Sequence, residues 1–126
     1  MAYINDDIFD VALQYIVDNG DALNLCNDEP TTFTEATDTY LLAAIAIDSG
    51  EYTGPAAGDT SGRKITIAAQ SSIPVTASGD TAYAAISDSG NSALLVVFTC
   101  TAQTLTDGNT VNTTAVDVEF RDAADE

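Results

Sequence analysis

The sequence predicts a mainly β fold, a small antiparallel β-sandwich or partly closed barrel with one amino-terminal α-helix. Three observations point there. Short apolar or alternating runs of strand length follow one another from residue 22 to residue 120. Small polar turn clusters punctuate them about every eight to twelve residues, a spacing that suits antiparallel strands better than βαβ units. Only residues 6–17 carry a sustained helical period.

The 126 residues suffice for one domain with its own core, spanning 1–126. The charge is lopsided: 20 acidic residues against 3 basic ones give a net charge of -17. Such a surface repels nucleic acid and anionic membranes at long range, so neither is an expected partner. It also suits a salt-adapted surface, because salt screens self-repulsion. The acidic opening lacks a basic leader and no apolar run is long enough to span a bilayer, which predicts neither Sec export nor an anchor.

The helix is expected over about 6–18. Ile8, Ala12 and Ile16 recur every fourth residue, and Phe9 and Leu13 widen them into one broad apolar face. Asn5 or Asp6 caps its start, and Asp18-Asn19-Gly20 stops it with Asn19 or Gly20 left-handed. The following sheet is the natural cover for the face, and docking on another protein is the alternative.

Ala22–Cys26 alternates as a short strand, ended by Asn-Asp-Glu-Pro. Thr34 to Asp38 suits one helical turn. Tyr40–Ile47 is apolar throughout and reads as a buried strand closed by Asp48-Ser49-Gly50. Residues 48–62 hold four glycines and a proline and predict a long surface loop pinned by Tyr52 and Pro55. Lys64–Ala68 alternates as a half-solvated strand. Ile73–Ala77 is a short edge strand, because Pro74 cannot donate to a ladder. Ser78-Gly79-Asp80 is a turn, Thr81–Ser87 a strand, and Asp88–Asn91 the next turn. Ala93–Cys100 is continuously apolar and β-branched, which predicts a strand in the middle of the sheet. Asp107-Gly108-Asn109 signals a turn, and Val116–Phe120 alternates with Val116, Val118 and Phe120 inward. The tail, 121–126, is expected to fray.

Few residues invite chemistry. Gly58, Gly62 and Lys64 resemble a phosphate loop superficially. The glycine spacing is too short, Arg63 displaces the lysine, and the next element is a strand where that motif opens a helix. There is no histidine, the commonest general base and metal ligand. No serine–lysine pattern replaces it, so no enzyme and no cofactor are expected. Asp48, Asp59, Asp80, Asp88 and Asp107 sit in turns where calcium would find carboxylates. None has the calcium-loop spacing, and aspartate is a good turn residue anyway, so no metal site is assigned. Cys26 and Cys100 read as buried free thiols, with a bridge open only if their strands pair. Asn112-Thr113-Thr114 is a glycosylation acceptor only in an exported protein. Arg63 and Lys64, two of only three cations, either pair internally or face an acidic partner.

Several blocks carry a resemblance. Asn27–Ala36, Tyr52–Ala69, Val75–Ile86, Leu94–Cys100, Ala102–Val111 and Val116–Phe120 resemble, in that order, segments of small head-decoration or cement-like structural proteins of tailed bacteriophages and prophages. The chain departs from them near Tyr83, where a histidine or other polar residue is common. The resemblance implies a structural virion protein. The charge of -17 then favours the outer face of the capsid over packaged DNA. There a decoration protein is expected to bind the major capsid protein around three-fold points, with a homo-oligomer, a trimer first, as the expected state. The amino-terminal segment 1–4, with Tyr3 and Ile4, is expected to reach onto a capsid subunit, and Tyr52, Pro55, Arg63 and Lys64 are the other expected contacts. A tail- or fibre-associated structural or host-binding module is the other reading.

Overall fold

The computed structural model describes residues 3–122. The fold is mainly strand, with one amino-terminal helix and three separate antiparallel sheets, none closed into a barrel. The Met1 and Ala2 part of the expected amino-terminal contact, and residues 123–126 of the expected frayed tail, lie outside the described residues.

Helix α1 runs Asp6–Asn19. The Asn5 side chain accepts the Asp7 N–H at 2.8 Å, and Asp6 and Asp7 face the positive end of the helix dipole. Its stop differs from expectation. Gly20 is extended, with φ -73° and ψ 104°, and its N–H donates to the Ile16 carbonyl at 2.7 Å. Glycine is required there by crowding: a Cβ would lie 2.5 Å from the Tyr52 hydroxyl and 2.6 Å from Ile86 Cγ2.

The four-stranded sheet has the order β2-β1-β6-β7. Its strands are β1 (Ala22–Cys26), β2 (Leu41–Ala46), β6 (Gly79–Asp88) and β7 (Ala93–Leu105). The three-stranded sheet is β3-β4-β9, from β3 (Tyr52–Ala57), β4 (Arg63–Ile67) and β9 (Val116–Phe120). A two-stranded ribbon pairs β5 (Ile73–Pro74) with β8 (Thr110–Val111). The helical turn expected after the first strand is present at Glu35–Thr39. It is wound wide, the Tyr40 N–H reaching back five residues to the Glu35 carbonyl at 2.9 Å.

All three sheets and the helix share one core. Leu13 and Ile16 of α1, Leu23, Leu25, Leu42 and Ile86 of the larger sheet, Ile65 and Ile67 of β4, and Ile73 and Val111 of the ribbon belong to a single buried cluster. The inward residues of β4 and β9 follow the expected alternation: Ile65 and Ile67 are buried, and Val116, Val118 and Phe120 are half-buried. The helix packs on its own sheet, against β3 and β4, with the Phe9 ring 5.9 Å from Phe120.

Four expectations need correction. The 48–62 loop is mostly ordered: a turn at Ser49–Glu51 capped by Asp48 leads into β3, which pairs with β4 from Tyr52↔Ile67 to Ala57↔Arg63. Gly54, Pro55 and a register shift hid that strand from pattern reading. Gly79-Asp80 opens β6, where the missing side chain leaves room for Leu42 beside Gly79. Ile8 and Ala12 point to solvent; the buried helix face is Phe9, Leu13, Ile16 and Val17. Finally, β7 is an edge strand, half-buried along its apolar half. Continuous apolarity suggests burial on both faces, which within this chain β7 achieves on neither.

Candidate functional site

The outer face of α1 is the strongest surface feature. Ile8, Val11, Ala12 and Tyr15 stand at the i, i+3, i+4, i+7 spacing that aligns side chains on one side of a helix. Ile8 is 62% exposed, Val11 73% and Tyr15 51%, and Ala12 is exposed beside them. Tyr3, in the segment leading into the helix, is 72% exposed. These four are the exposed large hydrophobic side chains among the described residues, and all lie at one end of the chain. Scattered exposed apolar residues need no explanation, whereas an aligned set marks a contact surface.

Asp7 and Asp18 border this stripe by helical position. Gln14 donates to Asp18 at 2.9 Å along the same border. Behind it, Asp10 is held by Arg63, whose Nε donates to Asp10 Oδ1 at 2.8 Å. That hydrogen bond raises the guanidinium pKa above its ordinary value. Lys64 bridges Asp59 at 2.8 Å and Asp117 at 3.1 Å, and both bonds raise its pKa. The Thr66 hydroxyl and then Lys64 hold the Asp117 carboxyl below its usual range. Arg121 pairs with Glu119 and lowers that carboxyl likewise. Each of the three cations is therefore engaged by a carboxylate inside the chain. The remaining surface is acidic.

The expected contact residues separate into three groups. Tyr3 is exposed, and Ile4 is half-buried with its N–H 3.4 Å from an Asp122 carboxylate oxygen. Arg63 and Lys64 sit on β4 in the ion pairs just given. Pro55 is half-buried, and its carbonyl accepts from Arg63 at 3.4 Å. Tyr52 is a core residue, 8% exposed, whose hydroxyl donates to the Gly20 carbonyl at 2.9 Å. Burial pushes its phenol up to about 12.

The turn aspartates disperse rather than gather. Asp48 accepts the Gly50 N–H, Asp80 accepts the Thr104 hydroxyl, and Asp88 accepts the Asn91 amide. Among the described residues no three acidic or thiol side chains converge as a metal would need. Cys26 and Cys100 are unbridged. Cys26 is buried, its Sγ 3.6 Å from the Ala36 carbonyl, and burial pushes its thiol up to about 11. Cys100 is partly exposed, 3.7 Å from the Thr81 hydroxyl.

A cleft of about 600 Å³ opens beside β7. Its apolar floor includes Leu25 and Phe98, and its rim carries Thr99, Gln103, Asn112 and Thr114. No carboxylate, lysine or arginine lines it among the described residues. It offers hydroxyl and amide groups and the Cys100 thiol, a lining suited to uncharged groups.

Sequence reasoning missed Val11 and Tyr15 and assigned Ile8 and Ala12 to the wrong side. The signal was present: apolar residues at 8, 9, 11, 12, 13, 15, 16 and 17 surround more of the helix than one packed face uses. No protein-family model, no curated protein and no solved structure matches the chain.

Proposed function

We propose that this chain is a non-enzymatic structural component of a tailed-phage virion, a decoration or cement protein on the outer face of the capsid shell. The observation that carries the proposal is the exposed apolar stripe of α1. A rigid helix presenting Ile8, Val11, Ala12 and Tyr15 is a ready-made contact for a groove on another protein. In this reading the two larger sheets act as a sandwich that holds the helix in place.

One expectation from the sequence and one further observation support this reading. The segment resemblance runs in order along most of the chain. The net charge of -17 favours a position away from packaged DNA, and it favours a shell surface with basic residues around an apolar groove. The mechanism is mechanical: each copy adds buried area at a junction between shell subunits, and symmetry multiplies the gain.

The test is re-binding of purified protein to particles that lack it. Changing Val11 and Tyr15 together to aspartate removes about 2 kcal/mol or more of apolar contact, a weakening of roughly thirty-fold or greater. Occupancy should fall accordingly while the circular dichroism spectrum stays that of the folded chain, the added negative charge costing only a modest drop in melting temperature. Unchanged occupancy would overturn the helix as the docking face.

A further inference from the structure

The two larger sheets have four edge strands, and three of them are protected. β2 is covered: Ala43 bridges to Val75, and the N–H groups of Thr76 and Ala77 donate to the Leu42 carbonyl. β3 carries Gly54, Pro55 and a register shift. β9 carries Asp117 and Glu119. Cover, proline, bulges and charge are the devices by which sheet edges avoid further pairing.

β7 lacks most of them. Among the described residues it pairs with β6 alone, and no backbone hydrogen bond from another segment reaches its outer edge. Between Asp88 and Asp107 the chain holds no charged residue and no proline. Register shifts do occur, at Ile86/Ser87 and Thr81/Tyr83. They leave a regular run between them, from Val96 to Thr99, opposite Ile86 to Tyr83. Val96 and Phe98 of this run pack against the core yet stay half-buried, and Phe98 lines the cleft.

We infer that β7 pairs antiparallel with β7 of a second copy about a two-fold axis. The pairing merges two four-stranded sheets into one of eight strands, four plus four. Core-facing side chains of both strands then lie on one side of the continuous sheet. The two clefts meet across the axis, and Phe98 and Val96 of each copy cover the other's.

Charge decides the occupant. A basic arm from another protein would find no carboxylate along this edge or in the cleft. An acidic arm would find no lysine or arginine there either. The site fits an uncharged, apolar, β-prone strand, and β7 is itself such a strand. Self-pairing sets no charge opposite a like charge. The flanking register shifts confine pairing to the regular run, and a two-fold contact uses up the edge, so association closes at two copies. This inference rests on β7 and is independent of the helix surface.

The experiment is sedimentation equilibrium of the full chain over a range of concentrations at low and high salt. A dimer is expected, with an affinity that rises with salt as the repulsion between two chains of -17 is screened. Thr99→Asp, at an exposed position inside the regular run of β7, should weaken the dimer at least ten-fold without changing the circular dichroism spectrum. Val11→Asp on the helix adds the same charge and should leave the dimer intact. Hydrogen exchange at Val96–Thr99 should slow as concentration rises. A monomer at all concentrations in high salt, a trimer, or a dimer indifferent to the β7 substitution but broken by Val11→Asp would each overturn the inference.

Discussion

Gly20 and Tyr52 form a close joint between the end of the helix and β3. The Tyr52 hydroxyl donates to the Gly20 carbonyl, and the space a Cβ would need at Gly20 is filled by that hydroxyl and by Ile86. Gly20→Ala should therefore destabilise by about 1–3 kcal/mol through overpacking, measurable by urea unfolding. Tyr52→Phe should cost about 1 kcal/mol for the lost bond. The same joint sets an alkaline limit. Burial raises the Tyr52 phenol from 10.0 to about 12. Between those values the unfolded chain gives up the phenol proton and the folded chain keeps it, so stability falls as pH rises through this window. A melting curve that steepens its decline above pH 10.0 in the wild type, and less so in Tyr52→Phe, is the expected outcome. The thiols give a second check at this scale. Cys26, buried and raised to about 11, should react slowly with a thiol reagent, while partly exposed Cys100 reacts first.

At the scale of elements, α1 has two apolar faces with different work. Leu13 is fully buried, so Leu13→Ala should cost about 2–5 kcal/mol. Val11, two residues earlier on the opposite side of the helix and 73% exposed, should change stability by no more than about 0.5 kcal/mol when made alanine. Chemical denaturation of the two variants separates the core face from the exposed face proposed to dock. Much of this element was readable beforehand: its span, its Asn5 cap and its acidic first turn all follow from local chemistry. Which apolar residues turn inward was not readable, because a helix apolar on two sides does not announce which side its own sheet will cover. The strands divide similarly. β4 and β9 were legible from strict alternation. β3 was not, because Gly54, Pro55 and a shifted register erase the period, and its place depends on pairing with β4. β7 was legible as a strand, but sheet order is a tertiary property and its apolar run did not say edge or centre. Of the candidate site, Tyr3 was expected as a contact because an amino-terminal segment can reach onto a neighbouring subunit, and its side chain is exposed. Arg63 and Lys64 were singled out by scarcity, and the fold answers that scarcity with carboxylates from α1, the β3–β4 turn and β9.

For the whole molecule the governing quantity is charge. With 20 acidic groups, 3 cations and each cation engaged internally, the surface repels itself. Salt screens that repulsion more than it weakens the few exposed pairs, so the melting temperature should rise from low salt to about 0.5 M salt. A fall would mean that the ion pairs outweigh the repulsion. The same charge bears on the proposed contacts: it disfavours nucleic acid, it suits the proposed basic-rimmed groove, and it leaves the uncharged β7 edge as the proposed place for a second copy. A decoration role joins these features, because a shell offers many identical grooves and rewards small contacts by repetition. Quantitative mass spectrometry of purified particles, comparing copies of this protein with copies of the major capsid protein, tests that role most directly. Shell decoration predicts a ratio of about one to one, or one to a few. A handful of copies per particle, or none, would contradict it.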